Sequence, residues 1–501
     1  MKFSDRSILE YIERNVINNP EKIAIIKNDS YISYKELWKE ALKVSSHIQE
    51  LNIRKGSTIA VIQEEIENAL PTIIGIIHSG CIYIPISPTA SSFNIKYMID
   101  VGKVKYAIVD CDNNYCKENN IEYVSYYNID EGKNHYDSRY FPVAYIMFTS
   151  GSTGKPKGIA ITHENLTSIY KAWQTEYHLN DIESHLQIAN LSFDVFAGDW
   201  IRALCSGATL VAMDDSSSKN PDNIIDIIIK NKVECAEFTP IRIREIYQRS
   251  VERGLCLDSF KLLICGSDTM RVNEMRALKK ILNNNCRLIF SYGTTETTID
   301  SSFYELNEED ELVDSAPLPI GNPFKGTEFK IVSNDGFEGK CGSIGELYIC
   351  GSGVGAGYIE HVKKTTSRYI RESCNDKFIR WYRTGDLASF DGKLYWLHGR
   401  ADSSIKIQEK FVDLTEVEAI IRSYEGVLDC VVVAVLKGSI LVLKTLVVYM
   451  YEHLCRESLI GHIVESATIP ITKDDIVRVE RLPMTLSGKI DRKQATEILS
   501  K

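Results

Sequence analysis

The sequence predicts an α/β protein in two parts: a large N-terminal domain of α/β layers with a small β-rich unit, and a small C-terminal α+β domain. Three observations lead there. At 501 residues the chain is longer than one hydrophobic core usually supports. Short β-branched apolar runs alternate with segments of helical period, the pattern of a largely parallel sheet covered by helices. After His398-Gly-Arg-Ala-Asp402 the alternation starts afresh, which places a boundary between residues 1–399 and 400–501.

Each element follows from its own stretch. Residues 8–16 carry apolar side chains at helical spacing, 22–26 and 31–34 read as short strands, and 35–51 return to a helical period. Residues 58–63, 81–86 and 106–110 are apolar runs separated by helical stretches. The pattern resumes after Ile159, with strands expected at 208–213, 236–239, 262–265 and 287–290. From 327 to 350 strands come closer together with turn glycines between them, the β-rich unit. Residues 214–220 read as a flexible surface loop, and no internal repeat is visible.

Composition sets limits on function. With 44% hydrophobic and 25% charged residues the chain has the make-up of a folded protein. A net charge of −10 argues against a broad nucleic-acid surface, so an anionic ligand needs local cations and backbone N–H donors. The amino terminus lacks the pattern of a secretion signal. The longest apolar stretches, 72–86 and 427–450, are interrupted by His78, Asp429, Lys437 and Lys444, so no membrane span is expected. Thirteen scattered cysteines with no CxxC pair point to reduced thiols and a cytoplasmic location.

The strongest local feature is Tyr145-Ile-Met-Phe-Thr-Ser-Gly-Ser-Thr-Gly-Lys-Pro-Lys-Gly158. A buried strand runs into hydroxyls, glycines and lysines, which together suit phosphate: small residues admit the backbone, hydroxyls donate, and lysines supply charge. A P-loop is disfavoured, because Lys155 is followed by Pro156 and the next segment, 159–162, is strand-like rather than helical. Taken alone, the stretch also fits a Gly/Ser turn with solvated lysines. Further along come Ser291-Tyr-Gly-Thr-Thr-Glu-Thr-Thr298, Gly345-Glu-Leu-Tyr-Ile349, Gly351-Ser-Gly-Val-Gly-Ala-Gly-Tyr358, Tyr382-Arg-Thr-Gly-Asp386, Gly399-Arg-Ala-Asp402 and Leu486-Ser-Gly-Lys-Ile-Asp-Arg-Lys493.

In this order and spacing the set resembles the adenylate-forming superfamily, which holds acyl-CoA synthetases, luciferases, D-alanine–carrier-protein ligases and the adenylation domains of nonribosomal peptide synthetases. The resemblance runs from Tyr31 to Lys493 and implies a substrate-holding N-terminal domain and a mobile C-terminal domain. It implies ATP and Mg²⁺ as cofactors. Thr149, Ser150, Gly151, Ser152, Thr153, Gly154 and Lys157 would form the phosphate loop, and Ser291, Tyr292, Gly293, Thr294 and Thr295 would line the adenine and α-phosphate. Glu296 would hold Mg²⁺, Asp386 the ribose hydroxyls, and Arg400 ribose or phosphate; Asp402 would be the hinge. Lys489 would bridge the substrate carboxylate and α-phosphate, where a fixed cation stabilises developing charge.

The resemblance also bears on the acid. Phe193-Asp-Val-Phe-Ala-Gly-Asp-Trp200 matches the substrate-side motif, and in amino-acid-activating members the residue matching Asp194 pairs with the α-ammonium. Matching positions give a pocket of Asp194, Val195, Gly198, Glu237, Leu263, Cys265, Ser291, Ile299, Asp300 and Lys489, similar to that of ornithine-activating domains. Glu237 and Asp300 suit one cation at the side-chain end, so ornithine, lysine or a similar diamino acid is expected, unless Glu237 turns outward or pairs with an arginine such as Arg242 or Arg244. The alternatives are a D-alanine–carrier-protein ligase, which Cys265 would suit, an acyl-CoA synthetase for a non-amino acid, and a non-catalytic binding homologue.

The pattern departs from the family after Arg400. Lys406 is present, but Glu409 stands where a glycine is usual and Phe411 where an arginine is. In relatives that glycine lets the hairpin pass the pantetheine thiol, so adenylation is better founded than thioester formation. No phosphopantetheine serine follows Lys493; a separate phosphopantetheinylated carrier protein, an amine acceptor or a larger parent synthetase is expected.

Overall fold

The computed structural model describes residues 7–110, 114–119, 121–130, 140–149, 156–214, 216–333, 335–374, 377–401, 404–407, 410–437, 440–449, 456–467, 471–485 and 489–500. Among these the larger part is built from three sheets. The first runs Gly357–Tyr358, Lys157–Thr162, Val143–Thr149, Ile82–Pro85, Thr58–Ile62, Tyr106–Val109 and Glu122–Ser125 in spatial order. Its last five strands are parallel; the two at the Gly357–Tyr358 end pair antiparallel.

The second sheet is larger. Its parallel core runs Arg287–Tyr292, Leu262–Cys265, Cys235–Phe238, Ser184–Gln187, Thr209–Ala212 and Ile23–Lys27, with antiparallel strands at both edges. The parallel strands are apolar on both faces because helices cover both, as βαβ crossovers require. The β-rich unit is an antiparallel sheet of Thr327–Val332, Gly345–Gly351, Lys377–Phe390, Tyr369–Cys374 and Tyr395–Arg400.

Local chemistry explains the helix ends. Ser33 and Glu36 close a capping box on helix Tyr34–Glu50, and Thr162 caps His163–Glu176 with Asn165 answering. Pro240 opens helix Pro240–Arg253, and Gly254, at φ +62°, ends it. The stretch 214–220 is tied at its start: Asp214 pairs with the buried Lys27 at 2.7 Å, and a single tight turn follows at Ser217–Lys219.

Beyond residue 401 a hairpin of Ser404–Ile407 and Lys410–Asp413 leads to a sheet of Val427–Lys437, Ile440–Tyr449 and Ile476–Arg478, with helices Leu414–Arg422, Arg456–Ala467 and Arg492–Leu499. Within the apolar stretch 427–450, Val427–Lys437 and Ile440–Tyr449 are two paired strands, and no described helix is long and apolar enough to cross a membrane. The hydrophobic clusters of this part draw only on residues between 414 and 499, and those of the larger part only on residues up to 397.

Candidate functional site

One end of the candidate site is assembled from two sheets. Tyr292 ends its strand with its hydroxyl donating to Asp386 Oδ2 at 2.6 Å. Antiparallel register sets Arg400 opposite Asp386, and its Nη1 lies 2.8 Å from Oδ1. The Asp386 amide donates to Thr384 Oγ1, which itself donates to the Leu347 carbonyl, so the carboxylate is held from its backbone as well as its tip. An acid supported in this way accepts hydrogen bonds from a diol without moving.

Thr149 and Lys157, the two ends of the phosphate-loop candidate that are described, face each other in register across the antiparallel pair. Ser150, Gly151, Ser152, Thr153, Gly154 and the hinge candidate Asp402 lie outside the described residues. Gly293 has a steric reason: a Cβ there would run into the Ile299 carbonyl. Thr294 begins a tight turn, Thr295–Thr297, that presents Glu296, whose Oε1 accepts from the Tyr358 hydroxyl at 2.7 Å. One feature without a sequence signal is Lys364. Burial and the adjacent Lys157 and Arg368 push its ammonium down to about 8. Cations crowded together beside Glu296 are the electrostatic complement of a triphosphate.

Asp194 opens helix Asp194–Ser206, where the Val195 amide and the helix dipole favour a carboxylate. Burial nevertheless raises its pKa, against the Thr295 hydroxyl bonded to it and the charge of Lys489. Lys489 comes from the far end of the chain, on a local turn closed by Thr485, whose amide donates to the Lys489 carbonyl at 2.7 Å. A carboxylate of the larger part and an ammonium of the smaller therefore come within electrostatic reach of each other.

The side-chain pocket differs from its sequence reading in two respects. Glu237 and Asp300 do not wait for an external cation, because Arg202 is already between them. Its Nη2 lies 2.5 Å from Glu237 and 2.8 Å from Asp199, its Nη1 is 3.8 Å from Asp300, and the guanidinium stacks 4.7 Å over Trp173. Arg242 and Arg244 are engaged elsewhere, with Glu245 and with Glu274 and Asp429. Burial works against the Arg202 charge, but the three carboxylates outweigh it and hold the group charged. Asp300 accepts from Trp173 Nε1 at 2.9 Å, and burial together with Glu237 lifts its pKa to about 7. Thr298 and Ile299, at φ +64° and +70°, form the strained turn that leads into Asp300.

The second difference is one of faces. Glu237 pairs in register with Ile264, and Phe238 with Cys265. Strand alternation then sets Leu263 and Cys265 on the opposite side of the sheet, in the cluster that holds Ala236 and Phe238. Gly266 is on the pocket side instead, where a Cβ would meet Ser291 Oγ and lie 3.6 Å from Glu237 Oε1.

A model of the AMP-binding enzyme family matches residues 12–359. The chain belongs to that family. It is 28% identical to bacitracin synthase 2 of Bacillus licheniformis over 97% of its own length, and 29% identical to tyrocidine synthase 3 of Brevibacillus parabrevis over 98%. It spans 19% and 8% of those two proteins. Zwittermicin A synthase ZmaJ of Bacillus cereus, 28% identical, is covered over 94% of its length and 97% of this chain. The fold is that of Klebsiella oxytoca NpsA in complex with 3-hydroxyanthranilyl-AMSN, at a TM-score of 0.84 and 21% identity over 99% of both chains. It is also that of holo-AB3403, a four-domain nonribosomal peptide synthetase bound to AMP and glycine, at a TM-score of 0.82 and 19% identity over 98% of this chain and 36% of that one.

Proposed function

We propose that the chain activates an amino acid with ATP, forming an aminoacyl adenylate and pyrophosphate. The observation that carries this reading is that the charge of Lys489 acts on Asp194, whose carboxylate also accepts from Thr295. A zwitterion needs an anion for its ammonium and a cation for its carboxylate. A fatty or aryl acid has no use for Asp194, whose burial without an ammonium is costly. In the reaction a carboxylate oxygen bonds to the α-phosphorus as the bond to the β-phosphate oxygen breaks. Lys489 stabilises the charge that builds there, while Tyr292, Asp386 and Arg400 fix the nucleoside. Likeness to a nonribosomal peptide synthetase and to NpsA-ThdA, an artificially fused adenylation-PCP di-domain of Klebsiella oxytoca, supports a carrier-protein thiol as the acceptor.

Among the described residues no group of three or more His, Cys, Asp or Glu gathers as a self-sufficient metal cage. Glu296 alone suits Mg²⁺ that takes most of its ligands from phosphate and water, and such an ion would offset the charge of the triphosphate. The diamino-acid side chain rested on Glu237 and Asp300 facing a substrate cation, and Arg202 now fills that role from within. The test is exchange of labelled pyrophosphate into ATP over a panel of acids. Exchange driven by amino acids supports the proposal, with ornithine and lysine as its diamino outcome; exchange driven only by fatty or aryl acids would refute it.

A further inference from the structure

We propose that Arg202 is a specificity-determining residue, and that it selects an amino acid with a short, uncharged side chain carrying a hydrogen-bond acceptor, a hydroxyl or an amide. The inference rests on the amino-acid reading of the pocket and names its side-chain class.

Three observations carry it. The first is position. Asp194, Gly198 and Arg202 follow one another at intervals of four on a single helix, so they share the face that looks into the site. The Cβ that Gly198 lacks would lie 3.2 Å from Arg202 Nη1 and 3.4 Å from Nη2. The guanidinium therefore occupies the room that glycine leaves, which is the room a long side chain would need.

The second is an unmet donor. Arg202 is 1% exposed, and its Nη1 makes no hydrogen bond. A buried N–H of a charged group without an acceptor is costly and rare, and a substrate oxygen reaching it would be correspondingly favoured.

The third is charge. Asp199 and Glu237 satisfy Nη2, and Asp300 is bonded by Trp173. A substrate ammonium arriving here would stand against the guanidinium in the space beneath Gly198. A substrate carboxylate would join three acids already sharing one cation. A neutral oxygen meets neither penalty. Asp300, held near neutrality at about 7, can also offer a proton to such a group.

The test is pyrophosphate exchange with the full chain, comparing serine, threonine, asparagine and glutamine with ornithine, lysine, aspartate and valine. The wild type is expected to turn over a hydroxyl or amide amino acid best, with kcat/KM for ornithine and lysine lower by about tenfold or more. Arg202→Met is expected to lose the preferred substrate by about tenfold to a hundredfold and to gain ornithine or lysine, since Asp199 and Glu237 then lack their cation. Arg202→Lys, which keeps the charge, should retain the neutral class at a raised KM. A wild type that prefers ornithine, lysine or valine overturns the proposal, as does an equal loss for every amino acid in both variants. Exchange driven by no amino acid but by a fatty or aryl acid sinks the amino-acid reading itself, a different result from a wrong order of preference.

Discussion

The proposed reaction sets Lys489 and Lys364 both near phosphate, yet their surroundings assign them different work. Lys489 is carried on a turn at the far end of the chain and faces Asp194. Its proposed role is to meet charge that develops during reaction, so Lys489→Ala should lower pyrophosphate exchange by about a hundredfold to a thousandfold, and an unchanged rate would remove the residue from the mechanism. Lys364 is instead crowded by Lys157 and Arg368, and burial with those neighbours lowers its pKa to about 8. Below that pH it is charged and attracts triphosphate; as pH rises through it, the attraction fades. The kcat/KM for ATP should therefore fall above about pH 8, and Lys364→Met should remove that fall while raising the KM for ATP near neutral pH. A pH profile identical in wild type and variant would show that Lys364 does not face the nucleotide. Lys364 was illegible in the sequence because its meaning comes from Lys157, far from it along the chain and joined to it only through the fold. Arg202, by contrast, left a signal that the motif comparison passed over. It stands one helical turn beyond Gly198 and three residues beyond Asp199, a spacing that sets an arginine against an acid on one face.

At the scale of elements, alternation of strand and helix was readable because buried parallel strands must be apolar on both faces. Which face a residue takes was not, since a shift of one position exchanges every side chain between sides. Leu263 and Cys265 illustrate this: their spacing fits a pocket wall, but pairing with Cys235–Phe238 turns Ile264 and Gly266 that way instead. The hairpin of 404–407 and 410–413 carries a prediction of its own. Its register pairs Lys406 with Phe411, and Glu409 lies outside the described residues. If the acceptor is a carrier-protein thiol, a side chain at a position where the family pattern has glycine slows its approach while leaving adenylation alone. Glu409→Gly should then speed loading of a phosphopantetheinylated carrier by several-fold with pyrophosphate exchange unchanged. Loading that does not respond, measured by mass of the carrier, would show that Glu409 does not line the thiol's path.

At the scale of the whole molecule, the proposed reaction needs two parts, whose hydrophobic clusters are separate among the described residues, to bring Asp194 and Lys489 together. Among the described residues, polar and charged contacts tie the two parts together. Arg244, on the larger part, reaches Asp429 of the smaller at 3.3 Å, and Arg271 donates to the Ala419 carbonyl. Asp429 is not dependent on Arg244, because Arg422 of its own part binds it at 2.7 Å. Likewise Glu274, the other partner of Arg244, also accepts from the Arg271 amide. Removing Arg244 therefore strands no acid completely, so Arg244→Ala should leave both cores folded and weaken only the docking between them. The expected result is a fall of about tenfold in exchange turnover, with the melting transitions little moved. The loss should be in kcat more than in the KM for ATP, since Tyr292 and Asp386 belong to the larger part. A variant that loses ATP binding in proportion to turnover would place Arg244 in the stability of the larger part rather than in its alignment with Lys489.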